Sequence, residues 1–378
     1  MAPLFIDSPD RSRGFSMVEL LVGMAIALIG MVLMFQAMER WEGRKRTTSS
    51  GSDAQVAGSI AVFSVERDLR MAGHGIGSAT TELGCSVVGH DAQAAAGAGA
   101  ATPAFLMLPA QIAHGASGAP DTLTLLYGNG TTLSTEMPFV ASTNTTKTAN
   151  NADGLKPGDI FIAATTGGGN CGLFETTVNP PGVGATIEHT TGTYTNYQGV
   201  SGAARYNGGG GNGIPVGATG GRIYNLGTRP FVNLWQVNGG RLVVRNLLTG
   251  EVASPVAEGV VNFQAQYGFD EDDDGFIAPT VNAGGNAEWV DTIAVTPTAA
   301  EWRRVRAVRF ALLVRSPQYE PTNVTTVNPS WAAGNFTMTH LDGTAGTSDP
   351  DSPNNWRRYR YRVYETVVFL RNVAWGAS

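Results

Sequence analysis

The run Arg13-Gly14-Phe15-Ser16-Met17-Val18-Glu19-Leu20, continued by apolar residues to Phe35, decides how the rest of the chain is read. A helix from Phe15 to Phe35 spans roughly 30 Å, the thickness of a bilayer's hydrocarbon core. One carboxylate, Glu19, lies inside it. A charge in hydrocarbon costs on the order of 3 kcal/mol or more, so its retention points to a function and to a cationic partner at the same depth. The run itself supplies no cation.

Arg11 and Arg13 precede Gly14, and the apolar run starts only after it. A secretory signal peptide has the reverse layout, with small residues and the cut after the apolar region. Past Phe35 the chain reads Gln36-Ala37-Met38-Glu39-Arg40-Trp41, without a small-x-small site. A protease acting here cuts ahead of the apolar segment and leaves it on the mature chain. The new N-terminus is then the amine of Phe15. A neighbouring copy's Glu19 can pair with that amine when helices bundle with a small stagger. The arrangement resembles the class III signal of type IV prepilins, in which a prepilin peptidase cuts between Gly and Phe and the new first residue is N-methylated. The resemblance implies a cut between Gly14 and Phe15, methylation of Phe15, and charge pairing by Glu19 at the fifth mature position. The bland alternative is a signal anchor with a chance Glu.

With 378 residues, a net charge of −6, 15% charged residues and 49 glycines, the chain reads as an extracytoplasmic, loop-rich β protein. Beyond the leader and helix enough chain remains for a buried core, in one large domain or two small ones. Cys85 and Cys171 are the two cysteines. In an oxidising compartment they read as a disulfide closing a long loop, worth about 4 kcal/mol in the chain-entropy model. The alternative is two buried thiols. Neither lies in a metal or redox spacing.

Residues Glu39 to Arg46 include Arg44, Lys45 and Arg46, and positive charge after a span normally marks the cytoplasmic side. The leader's arginines oppose that orientation. The motif favours the leader, so the N-terminus is expected in the cytoplasm, the span in the inner membrane and the head in the periplasm, later on the pilus. Thr47 to Ser52 is a weak helix former, expected to bend or melt locally. Helical periodicity returns from Asp53, an expected N-cap, to Ala72. Val56, Ile60 and Phe63 form one stripe with Val62, Val65 and Leu69 beside it, and Gly73-His74-Gly75 is the stop. The likeness to pilins implies one helix from Phe15 to about Met71; the alternative is two helices and a linker. The expected organisation is a leader over 1–14, a helix over 15–72 whose part 15–35 crosses the membrane or fills a filament core, and a β-rich head over 73–378.

In the head, Ala92 to Ala104 and Asn207 to Gly213 read as surface loops, and the second lacks the ending of a phosphate loop. Strands are expected at Thr122–Tyr127, Asp159–Ala164, Leu173–Val178, Phe231–Val237, Arg241–Asn246 and Val260–Tyr267, with Asn238-Gly239-Gly240 as a hairpin turn. A short helix is expected at Pro297 to Trp302, capped by Thr296. Arg304–Arg315 and Tyr359–Asn372 are expected as long, central strands.

The stretches Asn233 to Leu242, Arg245 to Glu251, Val256 to Asn262, Tyr267-Gly268, Ala311 to Ser316 and Tyr359 to Asn372 look like the PilW family of minor pilins. That resemblance implies an α+β, type IV pilin-like fold: a long apolar N-terminal helix followed by a β-rich globular domain. It also implies a low-abundance subunit that primes pilus assembly with other minor and major pilins and a PilY-type tip adhesin. The alternatives are a pseudopilin of a type II secretion or DNA-uptake system, and a membrane-anchored enzyme or receptor.

Asp270, Asp272 and Asp274, followed by Gly275, place hard oxygens at positions 1, 3 and 5 and a turn residue at 6, a spacing that suits Ca²⁺. The twelfth position is Val281, so the usual bidentate acid is missing, and Glu288 or Asp291 is the candidate replacement. The alternative is a solvated acidic turn. Arg357, Arg358, Arg360 and Arg362 alternate with aromatics, which suits a solvated or ion-paired strand face; with a net charge of −6, nucleic acid is not an expected partner. No His or Ser lies in a catalytic spacing, and no enzyme activity is expected.

Overall fold

The computed structural model describes residues 14, 16–93, 104–130, 136–180, 185–340, 344–349, 352 and 354–374. The leader residues 1–13, Phe15 and most of the Ala/Gly loop, 94–103, lie outside the described residues. The chain divides into two units, one ending at Ser52 and one beginning at Asp53. The first consists of the N-terminal part of helix α1 (Met17–Met71). Ser16 starts it: its Oγ accepts from the Glu19 amide at 3.2 Å, satisfying one of the free N–H groups of the first turn. The helix runs unbroken through Thr47–Ser52, so the expected melting is absent and Asp53 is an interior residue, not a cap. Ser and Thr cost a few tenths of a kcal/mol each and Gly51 about 1 kcal/mol relative to Ala, spread over a helix whose backbone groups would go unpaired if the turn broke.

In the second unit, α1 ends at Gly73-His74-Gly75, where Gly73 and Gly75 take φ of +82° and +92°. The first strands are β1 (Ser86–Val88), β2 (Phe105–Leu106), β3 (Ala110–Ala113) and β4 (Thr122–Tyr127). Then come β5 (Met137–Ser142), β6 (Thr146–Ala149), β7 (Ile160–Thr165), β8 (Cys171–Glu175) and β9 (Thr186–Glu188). A small hairpin, β10 (Thr193–Thr195) and β11 (Ser201–Ala203), precedes β12 (Gly221–Gly227), β13 (Phe231–Asn238), β14 (Arg241–Asn246) and β15 (Ser254–Glu258). The rest is β16 (Val260–Phe269), β17 (Trp289–Val290), α2 (Ala299–Arg303), β18 (Val305–Arg315), the hairpin β19 (Ser330–Trp331) and β20 (Gly334–Asn335), β21 (Tyr361–Phe369) and α3 (Arg371–Ala374).

The larger sheets have the orders β2-β1-β8-β7-β12-β5-β6-β9, β15-β14-β13-β4-β3 and β17-β16-β18-β21. Strand β7 shows why its apolar run is continuous. Ile160, Ile162 and Ala164 face one core with Leu173, Tyr224 and Leu226, while Phe161 and Ala163 face another with Phe139, Phe174 and Ile223. The period of two sends alternate side chains to opposite faces, and both faces are covered. Strand β18 does the same: Val308, Phe310, Leu312 and Val314 meet one core, Ala311 and Leu313 the other with Phe336, Met338 and Trp356. Asn238 pairs with Arg241 across Gly239-Gly240, whose φ values of +56° and +71° are those of a tight hairpin turn.

Several expectations need correction. The buried face of α1 is Ala61, Val65 and Leu69, continued by Ala72 just past its end, whereas Val56, Ile60 and Phe63 are exposed. Small residues are inside because the helix lies close to the sheet: the Tyr364 ring occupies the place where a Cβ on Gly58 would be, 2.1 Å from Cε2. The predicted strand Leu173–Val178 begins earlier and ends at Glu175. The final strand stops at Phe369 and lies at a sheet edge, beside β18, which is an interior strand as expected. Helix α2 is capped by Thr298, not Thr296, with Glu301 completing a reciprocal capping box. The Asn207–Gly213 run is docked rather than free: Asn207 and Asn212 are buried, and Asn207 Oδ1 accepts from the Glu175 amide at 2.8 Å. Cys85 and Cys171 are bonded, their Cα atoms 6.1 Å apart.

Candidate functional site

From Met17 to Phe35 every large apolar side chain is exposed, and the helix is long and apolar enough, over Met17–Glu42, to cross a membrane. A helix apolar on all sides is stable only when lipid or other helices cover it. Glu19 stands exposed in its first turn, without an ion pair among the described residues. Gly14 is exposed too; Phe15 lies outside the described residues. The sequence also marks the helix start: Ser16-x-x-Glu19 is the pattern of a capping box.

In the head, the C-terminal part of α1 is held by polar groups as well as by packing. Asp68 is buried and accepts from Asn233 Nδ2 at 2.8 Å and Trp235 Nε1 at 3.1 Å, both on β13. Tyr127, which accepts from the same Asn233 amide, has its phenol pushed up by burial and then by the Asp68 charge. At the helix end, Asn372 Nδ2 donates to the carbonyls of Met71 and Ala72 at 3.0 and 3.1 Å, so Asn372 caps α1. Two other buried acids belong to the same kind of fastening. Glu82 accepts from Tyr224 Oη at 2.8 Å, and Asp121 from the Ala265 amide at 2.8 Å. None of the three was singled out from sequence. The signal was there for Asp68, which falls on the Ala61, Val65, Ala72 face.

The acidic turn leads from β16 towards β17. Asp270 is fully buried, Asp272 and Asp274 are exposed, and one carboxylate oxygen of each lies within 4.8 Å of the other two. Asp270 Oδ2 accepts from the Gly275 amide at 3.0 Å and from Arg306 Nε at 3.4 Å; Oδ1 has no hydrogen-bond partner among the described residues. Asp273 and Gly275, with φ of +59° and +87°, turn the chain. Glu288 is buried and accepts from the amides of Glu271 at 3.1 Å and Ala278 at 2.6 Å, which ties the loop together. Desolvation, then the carboxylates of Asp274, Glu288 and Asp270, raise the Asp272 carboxyl above the usual range. Asp291 lies elsewhere, accepting from Gln266 Nε2 at 2.7 Å, so of the two suggested completing acids only Glu288 adjoins the loop.

The basic run is interleaved with aromatic rings. Arg358 lies over Tyr319, Arg357 over Trp356 and Arg362 over Tyr364, while Arg360 pairs with Glu320 at 3.2 Å.

Two family matches cover the ends of the chain. Residues 9–35 match the prokaryotic N-terminal methylation motif. Residues 234–372, which carry β14 to β21, match the family of type IV pilus-assembly protein W. No curated protein and no solved structure matches the chain.

Proposed function

We propose that this chain, a type IV pilin of the PilW family, is a minor subunit that takes part in starting pilus assembly. The peptidase that processes prepilins cuts it between Gly14 and Phe15 and methylates the new amine. Before assembly it sits in the inner membrane with its head in the periplasm; afterwards it is part of the pilus. Its partners are other minor and major pilins and a PilY-type adhesin at the tip.

The observation that carries this reading is Glu19, the lone acid between Met17 and Phe35, an exposed stretch of α1 that is apolar on every side. A local role does not account for it. An acid in the first turn gains about 0.3–1 kcal/mol from the helix dipole. Its cost within hydrocarbon is on the order of 3 kcal/mol. That penalty is offset when a neighbouring subunit's Phe15 amine meets the carboxylate, and the contact also sets the stagger between helices.

A strain lacking the chain tests the role. Reintroducing the full chain restores pilus number, and the Glu19→Ala form is cleaved normally but fails to restore it. Equal piliation with Glu19→Ala would contradict the pairing, and unchanged piliation on deletion would contradict the role in assembly.

A further inference from the structure

We propose that the loop between β16 and β17 is a calcium site, with Asp270, Asp272 and Asp274 as its carboxylate ligands. The site does not depend on the role in assembly.

A fully buried carboxylate oxygen without a donor is costly, since burial removes water and nothing replaces it. Asp270 Oδ1 is such an oxygen, and its carboxylate faces those of Asp272 and Asp274. The donors nearby are already committed. Arg306 goes to Asp270 Oδ2 and to Asp273, 3.4 and 3.6 Å away. Arg304 Nε donates to the Asp270 carbonyl at 2.7 Å, and its guanidinium lies over the Phe269 ring. Neither Asp272 nor Asp274 has a cation partner among the described residues. Six acids, Asp270 to Asp274 and Glu288, thus adjoin only Arg304 and Arg306 among the described residues, an excess of negative charge at one place.

The geometry suits one ion. Ca²⁺–oxygen bonds of about 2.3–2.6 Å put opposite ligands about 5 Å apart. The three carboxylate oxygens, all within 4.8 Å of one another, fit around such a centre. An irregular set of oxygens from one loop matches the flexible coordination of Ca²⁺ better than the strict octahedron of Mg²⁺. Glu288 is not the missing twelfth-position ligand. Its oxygens hold the Glu271 and Ala278 amides, so it shapes the loop into which the ion enters. Calcium would complete Asp270 and draw the two exposed acids onto it, fixing the turn beside edge strand β17.

The test uses the full chain in detergent micelles, freed of metal by a chelator and titrated with Ca²⁺ in a calorimeter. A dissociation constant of about 10⁻⁵–10⁻³ M is expected, with a Tm that rises with added Ca²⁺. The exposed pair changed together, Asp272→Asn and Asp274→Asn, leaves the fold intact and weakens binding at least ~10-fold. The proposal is overturned by no heat and no Tm shift at ~5 mM Ca²⁺, by an equal response to Mg²⁺, or by an unchanged response in the double variant.

Discussion

Removing the Asp68 carboxylate tests how the C-terminal part of α1 is held to the head. In Asp68→Ala the Trp235 indole N–H loses its acceptor and the Asn233 amide loses one of two, keeping Tyr127. A buried donor left unpaired costs about 1–3 kcal/mol. Two such losses give about 2–6 kcal/mol, and relief of a buried charge reduces the sum to about 2–4 kcal/mol. At ~2.1 cal/mol/K per residue, unfolding a head of roughly 330 residues carries ~0.7 kcal/mol/K, so each kcal/mol lowers Tm by ~1.5 °C. Asp68→Ala should therefore lower Tm by about 3–6 °C, read by circular dichroism on the full chain in micelles. Trp235→Phe separates the hydrogen bond from the general disturbance. Once Asp68 is gone, that change no longer removes a bond, so the double variant should cost less than the sum of the singles. Strictly additive costs, or a Tm change under ~1 °C for Asp68→Ala, would refute the reasoning.

Gly58→Ala would gain about 1 kcal/mol in an isolated helix. Here the new Cβ would displace the Tyr364 ring and its 3.1 Å hydrogen bond to the Gln55 carbonyl, so the head loses about 1–3 kcal/mol instead, and a raised Tm would contradict the packing. The buried pair Lys147 and His189, 3.0 Å apart, sets a pH profile. Burial, then the Lys147 charge, holds the His189 imidazole down at about 3, and burial lowers Lys147 to about 8. Both groups are bases with depressed folded values. Stability from neutral His189 is present above the unfolded value of about 6.5 and is lost as pH falls towards 3. Lys147 makes stability rise as pH rises from about 8 towards its unfolded value of about 10.4. Tm scans across pH should show both slopes, and Lys147→Met should remove the alkaline one.

Local pattern carried the N-terminal helix and most strand positions, because both depend on neighbours in sequence. The hairpin at Gly239-Gly240 and the bounds of β4 and β14 are of that kind. The buried face of α1 was legible by size of side chain only in part, at Val65 and Leu69. Gly58 and Ala61 are inside because a ring from Tyr364 and a sheet approach closely, and those partners lie far along the chain. The same distance hid the partners of Asp68, since Asn233 and Trp235 lie 165 and 167 residues away. Edge or centre placement of the last strand was equally hidden, for pairing order is a property of the sheet and not of the strand. The acidic turn was visible as a spacing, but the orphan oxygen of Asp270 and the tie through Glu288 appear only in three dimensions.

Mass spectrometry of this protein from sheared, purified pili tests the central claim most directly. The N-terminal peptide should begin at Phe15 and carry a methyl group on its amine. A chain found only in the membrane and still beginning at Met1 would contradict it.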